Sequence, residues 1–129
     1  MLKDILNVAI RQDASDIHLV CGLKPYLRVK RQLVKLDEFR VLTKEDTNEF
    51  YEEIINKDKY KNALFIEKRK LDTSYLYNGV KFRVNVSLTN GSVVITMRLV
   101  KGKLPTYESL KFPPVIASLL KQSQGLILV

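Results

Sequence analysis

The chain has 129 residues, 46% of them hydrophobic and 28% charged, a balance that fits one folded globular domain and excludes a disordered or fibrous chain. Its single cysteine, Cys21, excludes an internal disulfide and every multi-cysteine zinc or iron–sulfur pattern, and no apolar run reaches the ~18 residues that a membrane span needs. The count of 22 basic against 14 acidic side chains gives a net charge of +8, which favours an anionic partner: nucleotide phosphates, nucleic acid, a membrane surface or an acidic protein.

Leu2, Ile5, Leu6 and Ala9 recur at helical spacing and predict a helix over residues 2–12. This amphipathic start carries acids and lacks the basic-then-apolar order of a signal peptide, so the cytoplasm is the expected location. Asp16 to Val20 alternates, with Ile17 and Leu19 on one side and Asp16 and His18 on the other, and predicts a half-buried strand. Cys21 to Pro25 reads as a turn. Residues 26–31 and 32–36 predict a hairpin, although its tip, Lys30-Arg31, is poor chemistry for a tight turn. Thr43 opens a marked helix: Thr43 and Asp46 resemble a capping box, and Phe50, Tyr51, Ile54 and Ile55 form its apolar side. A further helix is predicted over 58–67, with Tyr60, Leu64 and Phe65 inward.

Residues 71–100 carry the clearest pattern. Val80, Phe82, Val84, Val86 and Leu88 alternate with polar residues, as do Val93, Ile95, Met97 and Leu99, and Asn78-Gly79 and Asn90-Gly91 punctuate the runs. Asn-Gly between alternating runs signals a two-residue hairpin loop, because both loop positions need positive φ. Two such loops predict a three-stranded antiparallel meander. The Asn90-Gly91 loop places Phe82 opposite Leu99, Val84 opposite Met97 and Val86 opposite Ile95, so the inward pairs are apolar. On the other face Arg83 then lies opposite Arg98, Ser74 opposite Arg83, and Asp72 one step along. Beyond residue 100 the pattern breaks. A turn of helix is predicted within 106–112 and a helix from Pro114 to about Ser123. Gly125 to Val129 reads as the start of a buried strand.

Two arginines facing each other on a sheet are unfavourable by a few tenths of a kcal/mol up to about 1. Either they fan apart on a wet face, with Arg83 paired to Asp72, or they converge on an anion as a phosphate clamp. Lys81 adds charge to the same face. His18, the only histidine, reads as an outward strand residue, and Cys21 as structural or incidental. Asp13 with Asp16 is too thin a pair to hold a metal. No Gly-x-x-x-x-Gly-Lys-Ser/Thr cradle is present. The basic stretches 24–40 and 57–70 are interspersed with acids and read as solvated surface. With aromatics at 9% and no tryptophan, a stacking platform for bases is not evident, and nucleic acid is the less favoured partner.

Ala14-Ser15-Asp16-Ile17-His18-Leu19, followed by Gly22, Pro25 and Arg28-Val29, resembles the opening of the secretion and pilus ATPases. Asp72-x-Ser74, Phe82-Arg83-Val84-Asn85, Met97-Arg98-Leu99, Leu104-Pro105-Thr106 and Gly125-Leu126-Ile127-Leu128-Val129 match further stretches of that family in order. Because the opening begins within fifteen residues of Met1, the resemblance is to the PilT-like, pilus-retraction branch. The second N-terminal domain of a pilus-extension or type II secretion ATPase is the alternative, and a stand-alone basic module binding nucleic acid or an acidic partner is the competing class. The resemblance implies an α/β (α+β) fold: a PAS-like domain over 1–100 with helices on a mostly antiparallel sheet, a linker and helix over 101–124, and at 125–129 the first strand of a RecA-like motor domain. It implies a hexameric ATPase using ATP and Mg in the whole protein, with no cofactor and no catalytic residue in this stretch itself, because the Walker A loop is absent. Implied partners are the motor domain, neighbouring subunits of the homo-hexamer and the inner-membrane platform of a pilus or secretion machine, to which the cytoplasmic protein is peripheral. Arginines of the N-terminal domain reach the nucleotide phosphates in this family, and the matching positions are Arg83 and Arg98. The chain departs from the family at three places: no third arginine stands between these two, Lys81 occupies a position that is often arginine, and Lys30-Arg31 replaces an Asp-Gly turn.

Overall fold

The computed structural model describes residues 1–100, 102, 106–119, 121, 123–126 and 128. Six strands form one antiparallel sheet: β1 (Asp16–Val20), β2 (Tyr26–Val29), β3 (Gln32–Lys35), β4 (Lys70–Tyr77), β5 (Val80–Thr89) and β6 (Ser92–Val100), in the order β3-β2-β1-β6-β5-β4. Helices α1 (Leu2–Arg11), α2 (Lys44–Ile55) and α3 (Lys59–Lys68) contribute to the core, with short α4 (Tyr107–Leu110) and α5 (Pro114–Leu119) following. The mixed α/β fold with a mostly antiparallel sheet is thus as the sequence predicts.

Alternation decides which face the helices cover. Ile17, Leu19, Leu27, Phe82, Val84, Val86, Ile95 and Met97 project to one side and are fully buried with Leu2, Ile5, Leu6 and Ala9 of α1 and Phe50 and Ile54 of α2. The β5–β6 register pairs Phe82 with Leu99, Val84 with Met97, Val86 with Ile95 and Arg83 with Arg98, and β4 places Ser74 against Arg83. Both Asn-Gly loops take positive φ at each central residue, 48° and 75° at 78–79 and 50° and 73° at 90–91.

The α2 start is a reciprocal capping box. The Asp46 N–H donates to the Thr43 hydroxyl at 3.2 Å, and the Thr43 N–H donates to the Asp46 carboxylate at 2.8 Å. Asp58 caps α3 by accepting from the Tyr60 and Lys61 N–H groups.

Two expectations are corrected. Tyr60 is 73% exposed rather than inward. The short α3 turns one residue, Phe65, into the core, where its ring lies 4.7 Å from that of Tyr51, while Leu64 is half-buried. Lys30-Arg31 does make a tight two-residue turn, with φ of 48° and 71°, and Val29 pairs with Gln32. Cross-strand pairing from Tyr26 to Gln32 imposes this left-handed geometry on residues that disfavour it. Pro114 opens α5 as predicted, and α5 is described over Pro114–Leu119. The predicted extension to Ser123 and the predicted strand 125–129 fall partly on residues 120, 122, 127 and 129, outside the described set. Leu126 and Leu128 are exposed and carry no regular secondary structure.

Candidate functional site

The face of the sheet opposite the core cluster carries the chemistry. Cross-strand pairing aligns Leu33, Arg28, Asp16, Arg98, Arg83 and Ser74 in one row across all six strands. The next row runs Lys35, Tyr26, His18, Thr96, Asn85, Asp72. Directly opposed residues share a face, so Arg83 and Arg98 project to the same side. Their side chains are 74% and 69% exposed. Together with Asp16, Asp72, Asn85 and Thr96 they line an open depression of about 310 Å³. A larger hollow, about 620 Å³, lies between α1 and the 78–79 turn. Its charged lining is Asp4 and Arg11, one of each sign, so it lacks the paired cations of the sheet face.

The two arginines are held differently. Arg98 Nε donates to Asp16 Oδ1 at 2.8 Å, and that bond does not use the terminal amino groups. Arg83 approaches Asp72 at 3.9 Å, and Asp72 is itself well exposed, a geometry that contributes little. Lys81 is exposed two residues before Arg83 and lies opposite Leu76 and Val100. It lines a separate hollow with Ile10, Asp13 and Leu99, so the structure does not bring it into the Arg83–Arg98 depression.

Alternation sets Asp16 on the side away from Ile17 and Leu19, yet it is buried. The residue is 5% exposed, enclosed by β2 and β6 on either side. Its carboxylate accepts from Arg98 and from the Ser15 hydroxyl at 2.9 Å, with Arg28 Nε at 3.6 Å. Burial is the largest single influence and pushes its pKa up; the Arg98 and Ser15 hydrogen bonds and the Arg98 charge outweigh it, so the carboxyl sits below its usual value. The sequence reading missed this residue because β1 meets β6 across a separation no local pattern encodes. His18 is half-buried, and its Nε2 atom is enclosed with no hydrogen-bond partner among the described residues. Burial lowers its pKa, the Arg28 charge adds to that, and Asp16 opposes it. Cys21 is a half-buried free thiol beside the β1–β2 turn. Among the described residues no cluster of three or more His, Cys, Asp or Glu side chains can hold a metal, and no helix is long and apolar enough to cross a membrane.

These shifts set the direction of the pH response. His18 and Asp16 both bind protons more readily unfolded than folded. Their contributions are therefore present above the unfolded pKa values and lost as pH falls toward the folded ones: below about pH 6.5 for His18 and below about pH 4 for Asp16. Thermal melts between about pH 7.5 and about pH 5 should show a decline in stability that His18→Gln flattens. An unchanged decline in that variant would assign the effect to another group.

The mixed α/β fold, a six-stranded antiparallel sheet packed with helices, matches the N-terminal domain of PilT-like ATPases. The crystal structure of the pilus retraction motor PilT with bound ADP superposes with a TM-score of 0.79 at 30% identity, covering 93% of this chain and 35% of that one. The chain is a homologue of the type II/IV secretion ATPases, over essentially its full length, and carries the fold of their PilT-type N-terminal domain. Among relatives, the type IV pilus retraction ATPase PilT of Pseudomonas aeruginosa is 29% identical over 129 residues, which are 99% of this chain and 37% of that protein. The type IV pilus ATPase PilU of the same organism is 22% identical over 127 residues, 98% of this chain and 32% of that protein. The chain thus spans about a third of the length of these relatives. No family model matches it.

Proposed function

We propose that this chain is the N-terminal, PAS-like domain of a hexameric, pilus-retraction type ATPase, and that Arg83 and Arg98 present guanidinium groups to the phosphates of ATP held by a motor domain. Residues 1–100 form the domain, 101–124 the linker and helix, and 125–129 lead into the motor domain. Neighbouring subunits and the inner-membrane platform of the pilus machine are its partners, and the protein works in the cytoplasm. The observation that carries this reading is the direct opposition of Arg83 and Arg98 on an exposed sheet face. Like charges held there on a rigid hairpin repel; Asp16 beside Arg98 offsets part of that repulsion, and an anion lying between the two would offset the rest. Planar forks of N–H donors suit phosphate oxygens, and they stabilise charge that builds on the γ-phosphate as its bond breaks. Loss of that phosphate removes the anion, so the same pair distinguishes ATP from ADP and couples hydrolysis to domain movement. The magnesium ion of such a reaction finds no ligand cluster among the described residues.

The test uses the full-length protein. Arg83→Ala and Arg98→Ala should each reduce ATP turnover at least tenfold, about 1.4 kcal/mol of transition-state stabilisation; Arg83→Ala should leave melting unchanged, whereas Arg98→Ala, which takes its partner from sheltered Asp16, should lower it while the domain stays folded at the assay temperature. Wild-type turnover in both variants would refute the assignment.

A further inference from the structure

We infer that Asp16 is the positioning residue for Arg98: it holds the guanidinium at its Nε so that the terminal amino groups are presented outward. The inference rests on the phosphate reading of Arg98 and adds to it a residue from a different strand. Three observations carry it. First, Asp16 is 5% exposed whereas the Arg98 side chain is 69% exposed. An ion pair serving the core alone would enclose both partners. Here a sheltered carboxylate grips the root of an arginine whose far end stays in the open. Second, the grip is specific. Arg98 Nε donates to Oδ1 at 2.8 Å, while the carboxylate is itself anchored by the Ser15 hydroxyl at 2.9 Å and flanked by Arg28 Nε at 3.6 Å on the neighbouring strand. Third, the register places Asp16 between Arg28 and Arg98 in directly opposed positions, so the backbone sets its distance to both.

A free arginine side chain samples many rotamers, and ordering it on binding costs entropy. A bond at Nε removes most of that freedom before an anion arrives. It also offsets the repulsion between Arg98 and Arg83 without occupying the face where phosphate approaches. Arg83, with its long contact to exposed Asp72, has no such brace among the described residues. The two arginines are therefore unequal: one is pre-set and the other adapts.

The experiment measures kcat and KM for ATP in the full-length protein carrying Asp16→Asn, Arg98→Ala or both. Asp16→Asn should lower kcat at least threefold with KM within about twofold, because the loss falls on a contact made in the transition state. Added to Arg98→Ala, it should change kcat less than twofold, because its effect passes through Arg98. Wild-type kcat for Asp16→Asn overturns the inference, and so does an equal loss in the Arg98→Ala background, which marks a general structural role. If Arg98→Ala alone keeps wild-type kcat, the phosphate reading fails and this inference falls with it. Should Asp16→Asn melt below the assay temperature, Asp16→Glu replaces it. Glutamate keeps the charge but moves the carboxylate by one methylene, so a threefold fall is again expected, and wild-type kcat overturns the positioning role.

Discussion

Replacing Phe82 with alanine is expected to destabilise the domain by about 3–5 kcal/mol, the largest effect of any single substitution considered. Phe82 sits early in β5, directly opposite Leu99 of β6 and Tyr75 of β4, and is fully buried. Its removal takes away the apolar area of the ring and leaves a space that two flanking strands, locked by their own ladders, cannot close. A domain of this size holds only about 5–15 kcal/mol of net stability, so the loss should appear as a drop in melting temperature of roughly 10–20 °C and a lower urea midpoint. A loss under about 1 kcal/mol would mean that neighbouring side chains repack into the space. The residue also matters for the site. It lies between Lys81 and Arg83 in sequence and sets the register that brings Arg83 opposite Arg98.

The second large effect is expected at Asp46. Its backbone N–H and its carboxylate both serve the α2 cap, and the carboxylate also accepts two hydrogen bonds from Arg40, each 2.6 Å. Those Arg40 bonds are the main reason its pKa lies below the usual value, with burial opposing and the Thr43 bonds assisting. Asp46→Ala removes the acceptor of the capping box and should cost roughly 1–2 kcal/mol. Asp46→Asn keeps an acceptor for the Thr43 N–H but loses the ion pair, and should cost less. The sign of the pH dependence follows from the lowered pKa: the carboxylate stabilises the fold above about pH 4 and ceases to do so as pH falls below it. Urea titrations of wild type and Asp46→Asn at neutral and at acid pH test this. The two should converge in acid, and a constant difference would refute the charge-linked part.

The α2 helix links this cap to the candidate site. Phe50, Tyr51, Ile54 and Ile55 of α2 join the buried cluster with Val93, Ile95 and Met97 of β6. Met97 precedes Arg98, and its burial beneath the sheet sends Arg98 to the opposite face. A frayed α2 would leave that alternation less firmly set.

Several features were legible because their causes are local. The Asn-Gly loops, the strict alternation over 80–88 and the capping pair at 43 and 46 each act over a few residues. The Arg83–Arg98 opposition follows by counting outward from one two-residue loop, with no knowledge of the rest of the chain. Other features were not legible for the converse reason. Tyr60 was placed inward by helical spacing, but spacing gives a stripe and not the partner that covers it; the partner surface receives Phe65 and leaves Tyr60 in solvent. Lys30-Arg31 carries no turn signal of its own and takes its geometry from the strands it joins. His18 alternates as a surface residue would, yet its Nε2 is enclosed.

By itself, then, the order of amino acids determined the meander, its pairing and the face that Arg83 and Arg98 share. Only the tertiary structure decided that β1 inserts between β2 and β6, joining residues 16–20 to 94–98. That insertion shelters Asp16 and sets it against Arg98. The physical reason is that alternation specifies which side of a strand is apolar but not which strand lies beside it. Strand order is settled when one arrangement lets the helices cover every apolar face at once, and that is a property of the whole chain.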